Sequence, residues 1–274
     1  MKSALPARAE AALRAGLQAS IQARLGRQGA AKPCCSGAAH QIDWRADRRN
    51  EVQAGNFNYR RVADLPSVIA VFPLPAALLL PGGRMPLNIF EPRYLQMIDA
   101  AMAGDRLIGM IQPGFDGAQR DDGEPEIVNV GCMGRITSLT ETGDGRYMIA
   151  LQGVCRFRVA EELSVKTPFR QCRVAPFGTD LEEDRSGAEV DRPALLKAFR
   201  SYLEANDLDA DWNNVSRAEN AMLVNALSMM APYGPAEKQA LLEAPDLKTR
   251  AETLIALTEM ALARDNEDFG SSLQ

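Results

Sequence analysis

The strongest constraint on the fold is one stretch, Val68 to Gln112, where apolar runs are repeatedly cut by proline and glycine. It reads Val68-Ile-Ala-Val-Phe-Pro-Leu-Pro75, then Leu78-Leu-Leu-Pro-Gly-Gly83, then Met85-Pro-Leu-Asn-Ile-Phe-Glu-Pro-Arg-Tyr94. Runs this short, so interrupted, read as strands joined by tight turns. A helix follows. Pro92 suits a first helical position, where its missing N–H would have no partner anyway. Tyr94, Met97, Ile98, Ala101 and Met102 recur at helical spacing, and Gly104 is a natural stop. Leu107 to Ile111 reads as a further strand.

The middle of the chain continues in β-structure. Pro113 to Pro125 is dense in Gly, Asp and Pro and reads as a loop. Ile127–Val130 and Arg135–Leu139 read as strands, with Gly131 and Gly134 marking a bulge or a close backbone approach. Thr142-Gly-Asp-Gly145 supplies a hairpin turn, and Arg146–Leu151 returns from it. Gly153 breaks the chain again. In Val154–Val159 the alternation puts Cys155, Phe157 and Val159 on one face and Arg156 and Arg158 on the other. A last strand spans Phe169–Ala175. Many short strands at this spacing predict a small, partly closed barrel.

After an acidic linker, Asp180–Gly187, the pattern turns helical. Leu195, Leu196, Phe199, Tyr202 and Leu203 mark one helix opened by Pro193. Ser216-Arg-Ala-Glu219 reads as a capping box opening a second. Pro235 starts a short helix through Leu242, and Asp246 caps the last. Four such helices predict a small bundle.

Residues 1–50 differ from the rest. They are rich in arginine, poor in acid, and place Leu13, Leu17, Ile21 and Leu25 four apart. A short amphipathic helix, a targeting peptide and a disordered or over-extended N-terminus are all compatible with that composition. The net charge of −5 argues against a polyanion-binding surface. No apolar run has the length of a membrane span. Five cysteines, an odd number in a chain of 274 residues, fit a reducing cytoplasm.

The order and spacing of these motifs resemble the N-terminal, substrate-recognising domain of Lon proteases. The residues that carry the likeness are Val71-Phe-Pro-Leu74, Pro81-Gly82 and Pro86-Leu-Asn-Ile-Phe-Glu91, followed by the helix. Gly153, Arg156, Arg158 and Val159 match a further family pattern. The likeness runs from about Val68 to Leu163 and continues more weakly through the helical part. It implies an α+β fold, a PUA-like β pseudobarrel followed by a small C-terminal helical bundle. The expected divisions are an N-terminal extension (1–57), the barrel (58–178) and a helical subdomain (188–265).

The sequence is poor in catalytic chemistry. It has no Gly-x-x-x-x-Gly-Lys-(Ser/Thr) loop for a nucleotide, and the expectation is a stand-alone module without the family's ATPase and peptidase parts. The single histidine, His40, lies in the N-terminal extension, which leaves no His-based triad or His-rich zinc site. Cys132, Cys155 and Cys172 read as small buried hydrophobes; Cys34-Cys35 beside His40 could hold a stray ion. No cofactor and no metal are expected. Glu91, Arg93, Arg156 and Arg158 have two readings, an acid–base or anion-clamp role and structural ion pairing. The segment Phe72 to Gly82 has two as well: core strand, or a greasy groove exposing part of Leu74, Ala77 and Leu79.

The resemblance therefore implies a non-catalytic module that binds unfolded or degron-bearing polypeptides, or a protease or chaperone partner, in protein quality control. Its expected peptide-binding residues are Leu74, Ala77, Leu79, Phe90, Glu91, Arg93, Arg156 and Arg158. The expected protein is cytoplasmic, a monomer or weak dimer, with no nucleic-acid or membrane partner. The alternative is an RNA-binding PUA-like module, disfavoured by an aromatic content of 6% and the lack of a basic stripe.

Overall fold

A computed structural model describes residues 52–120, 123–182, 189–206, 210 and 212–271. The readings of residues 1–51 (the amphipathic helix, targeting peptide, His40 and Cys34-Cys35) lie outside the described residues. A small hairpin, β1 (Val52–Ala54) with β2 (Phe57–Tyr59), opens the described chain. Then come β3 (Val68–Pro73), β4 (Arg84–Ile89), α1 (Pro92–Ala103), β5 (Leu107–Ile111), β6 (Val130–Thr142), β7 (Arg146–Leu163) and β8 (Gln171–Pro176). The helical part holds α2 (Arg192–Ala205), α3 (Trp212–Arg217), α4 (Asn220–Met230), α5 (Pro235–Glu243) and α6 (Leu247–Ser271). The architecture is α+β, a β pseudobarrel followed by helices.

The sheet order is β4-β7-β6-β5-β3-β8, and a further β7–β8 pairing closes it. β3, β5, β6, β7 and β8 thus form a ring, with β4 attached outside it. Only β3 and β5 run parallel among these pairs. The ring exists because β7 is long enough, at 18 residues, to serve two neighbours. Its residues 147–152 pair with β4, and its residues 157–163 pair with β8.

The predicted break at Gly153 is a bulge, not a strand end. The β6–β7 register slips between Met133 and Gly134, leaving Val154 without an opposite residue. A side chain on Gly153 would place its Cβ 2.1 Å from the Leu80 carbonyl oxygen. The glycine lets the Leu78–Pro81 segment lie against β7, where Gly153 N–H donates to Gly83 O at 2.8 Å. At Gly131 a Cβ would meet the Phe157 ring at 2.6 Å, so the missing side chain makes room for the barrel's central aromatic. Phe157 shares one buried cluster with Ile69, Val71, Ile111, Met133, Val154 and Val174. Burying an aliphatic side chain of this size contributes roughly 1.5–3 kcal/mol.

The chain divides into two compact units. One comprises residues 50–190 and 224–254; the other includes 191–223 and 255 onward. In the first, polar side chains tie residues 224–254 to the barrel and to one another. Gln112 donates to Pro235 O at 3.0 Å, and Gln239 donates to Val130 O at 3.0 Å. Arg250 Nε donates to Leu241 O at 2.9 Å, and Asn225 donates to Pro81 O at 3.2 Å. In the second, Asp191 caps α2 by accepting from Ala194 N–H at 3.0 Å. Arg192 donates to Val215 O and Ser216 O at 2.9 and 3.0 Å.

The capping-box reading of Ser216 is corrected. Ser216 lies inside α3 and donates to Asn213 O at 2.9 Å, while α4 starts one residue after Glu219. Asp246 does cap α6, accepting from Thr249 N–H at 2.8 Å. No helix among the described residues is long and apolar enough to cross a membrane.

Candidate functional site

The outward face of β4 and the first half of β7 carries two of the exposed large apolar side chains, Phe90 and Met148; others, among them Phe57, Phe115, Met222 and Met260, lie elsewhere. Gly153 N–H bonds Gly83 O, one step before the Arg84–Gln152 pair. Continuing that ladder, alternation turns the backbone of Met85, Leu87 and Ile89 toward β7 and that of Arg84, Pro86 and Asn88 away. β4 has no other strand partner among the described residues. Along its outer edge Pro86 has no N–H to offer. Phe90, just past the strand, is 61% exposed, and Met148, opposite Asn88, is 55% exposed. The Arg146 guanidinium lies 5.9 Å from the Phe90 ring centre and pairs with Asp144 at 3.0 Å.

Other candidates from the sequence fall into separate groups. Glu91 and Arg93 meet at 3.1 Å, and Arg93 also pairs with Glu124 at 2.7 Å, tying the start of α1 to the loop before β6. Burial disfavours the Arg93 charge, but Tyr94, Glu124 and Glu91 together raise its pKa above the ordinary value. The Phe72–Tyr94 ring contact, 4.3 Å between centres, sets the end of β3 against α1. Leu74 and Ala77 are half-buried in the loop that follows. That loop contains Ala76 at φ 57°, a left-handed conformation unusual for alanine. Ala76 N–H is held by Gln112 Oε1 at 3.1 Å.

Two candidates are corrected by burial. Leu79 is 1% exposed and packs over Gly134, so it belongs to the core and not to a groove. Arg156 is 4% exposed. The alternation that sends it outward is real, but the outer face of β7 is covered there by the turn between α5 and α6. Its guanidinium meets Asp180 at 2.6 Å and donates to the carbonyls of Leu242 and Pro245 at 3.0 and 3.3 Å, and to Ala244. Burial opposes the charge, and Asp180 more than offsets it, so the Arg156 pKa is raised. Asp180 is accordingly no linker residue. It sits in a short turn, Gly178–Leu181, with its side chain 7% exposed. Arg158, two residues along, is exposed, and its guanidinium lies 5.7 Å from the Phe177 ring centre.

Sequence reasoning missed Asp180, Gln112, Gln239 and Arg250. A signal existed for the first: an arginine inside a run of buried strand residues demands a carboxylate. Lys238 is also buried, which pushes its pKa down. The thiols of Cys132, Cys155 and Cys172 are buried; burial pushes Cys155 up to about 12 and Cys172 to about 11. Among the described residues no group of His, Cys, Asp and Glu could hold a metal ion.

The class these features define is an α+β barrel protein in which β4, among the described residues, pairs with β7 alone and an apolar pair is exposed beside it. The profile of the ATP-dependent protease La (LON) substrate-binding domain matches residues 68–259, and the chain belongs to that family. It is 29% identical over 202 residues to Lon protease 2 of Myxococcus xanthus, covering 71% of this chain and 24% of that protein. Lon protease of Anaeromyxobacter dehalogenans is 27% identical over 202 residues, with 71% and 23% covered. The chain thus spans about a quarter of the length of these curated relatives. Two solved structures share the fold. The Lon N-terminal domain protein from Xanthomonas campestris has a TM-score of 0.50 at 24% identity, covering 70% of this chain and 98% of its own. The N-terminal domain of a Mycobacterium avium complex Lon protease gives 0.53 at 18% identity, again covering 70% and 98%.

Proposed function

We propose that this protein is a non-catalytic recognition module that binds unfolded or degron-bearing polypeptides. Membership of a substrate-binding family makes substrate recognition the role to account for. The observation that carries the finer reading is the exposed pair of Phe90, just past β4, and Met148 on β7, with β4 bound to a single strand among the described residues. An extended chain laid along the outer edge of β4 makes main-chain hydrogen bonds and buries apolar side chains on the two residues. Folded proteins hide both kinds of group, so the surface selects unfolded segments. Pro86 withholds one edge donor and keeps the contact weak and reversible. Glu91, Arg93, Leu74 and Ala77 flank the start of α1 and the end of β3, and we assign them to the periphery of this surface. Arg158 is kept as a separate exposed cation.

The proposed working unit comprises the barrel (58–178) and the helical part (188–265), acting in the cytoplasm as a monomer or weak dimer. Partners are client polypeptides, with a protease or chaperone as recipient. The test is binding of a permanently denatured, labelled protein to the full chain. A Phe90→Ser/Met148→Ser double variant with an unchanged melting temperature is expected to weaken binding at least about tenfold. Unchanged binding would remove this surface from the account.

A further inference from the structure

The barrel is split at one place. β3 pairs with β8 along Val68–Ala70, but its parallel ladder with β5 starts only at Val71–Gly109. The same register would set Ile69 opposite Leu107, and no pairing forms there. In that split lies a cleft of about 200 Å³, lined by Val68, Ala70, Ala101, Leu107, Phe169 and Asp105 among others. Its walls are strand backbone and mostly small or apolar side chains, with the polar residues Asp105 and Gln171 among them. Two features give it a negative end. Ala101 belongs to the last turn of α1, which holds no basic residue and whose carbonyls carry partial negative charge, although Ala101 O itself accepts from the N–H groups of Gly104 and Arg106 at 3.1 and 2.9 Å. Asp105 adds a carboxylate. The Arg135 guanidinium reaches the same residue from its backbone side, donating to the Asp105 carbonyl at 2.7 Å and to Tyr59 Oη at 3.1 Å and lying over Phe57.

We infer that this cleft is a second polypeptide subsite, which takes an aliphatic side chain next to a lysine or arginine in an extended segment. The segment adds along Val68–Ala70, the aliphatic group enters the cleft, and the cation faces Asp105 and the end of α1. The inference rests on the reading of the chain as a polypeptide-binding module, but it uses none of the β4 surface.

The test uses the full chain and two fluorescein-labelled octapeptides, one with Lys-Leu-Lys at its centre and one with Gln-Leu-Gln. The lysine probe is expected to bind up to about fivefold more tightly at low salt, and Asp105→Asn removes that preference. Ala101→Leu fills the cleft and weakens both probes at least about tenfold. Ala70→Leu is the second filling variant should the first not fold. Folded filling variants that bind as wild type, or a lysine preference that survives Asp105→Asn, overturn the subsite. If Phe90→Ser/Met148→Ser abolishes capture of denatured protein while the filling variants leave the probes unaffected, the subsite falls and the proposed function stands. If neither denatured protein nor either probe binds, both fall.

Discussion

The two halves of β7 do different work. From Phe157 onward the strand is locked: β8 lies along it, Phe157 fills the barrel, and Arg156 just before is bonded to Asp180 and to the carbonyls beyond α5. From Arg146 to Gln152 it carries β4, which among the described residues has no second strand partner, with Phe90 and Met148 exposed. One half spends its polar and apolar groups on holding the fold. The other leaves apolar side chains exposed. Gly153 and the bulge after it divide the halves, because only there can Leu80 approach the strand closely enough to carry the chain across. The contrast teaches that burial, not charge or motif membership, sorts the family-like residues: Arg156 and Arg158 share a motif and have opposite environments.

The largest effect is expected at the locked half. Arg156→Met leaves the buried Asp180 carboxylate without its partner and should destabilise the fold by about 3–5 kcal/mol. Urea unfolding measures it. Adding Asp180→Leu to the same chain should recover much of the loss, since no buried charge then remains unpaired. Next comes the divider. Gly153→Ala forces a contact with the Leu80 carbonyl and should cost about 1–3 kcal/mol in the same assay.

The open half should respond in the opposite sense. Phe90→Ser with Met148→Ser is expected to change stability by less than about 0.5 kcal/mol each while lowering polypeptide binding. A large drop in melting temperature would show that these residues belong to the fold. Acid adds a pH signature. Glu162 is partly buried, which raises its pKa, yet Arg170 and Arg120 hold it below the ordinary carboxylate value. A lowered carboxylate pKa contributes stability above the unfolded-state value, and that share is lost as pH falls through the folded-state value. Melting temperature should therefore fall below about pH 4.3 less steeply in Glu162→Gln than in wild type. The smallest effect is at Ala76, whose left-handed backbone suits glycine. Ala76→Gly should be neutral to stabilising by up to about 1 kcal/mol. A clear loss of stability there would mean the methyl group packs usefully.

Much of this fold was legible. The Pro92 start and Gly104 stop of α1, the strand before and after it, and the Asp246 cap all follow from local rules, and local rules govern them in the structure. Less legible were features set by distant parts of the chain. Gly134 reads as a bulge or close approach and the register shift falls beside it, whereas Gly153 reads as a break, because sequence cannot tell a bulge from an end; the register with β6 decides. Ser216 had the right spacing for a capping box, but α3 claimed it. Leu79 could be core or groove on its own, and Gly134 across from it settles the matter. The exposed face of β4 was half visible, since Phe90 sits in a family motif. Met148 lies about sixty residues further on, and only strand pairing places it on that face.

Hydrogen–deuterium exchange with and without saturating denatured polypeptide tests the central claim most directly. The account predicts slowed exchange across residues 84–90, with the 157–163 half of β7 unchanged because it is already protected. Binding that leaves 84–90 exchanging at its free rate would contradict it.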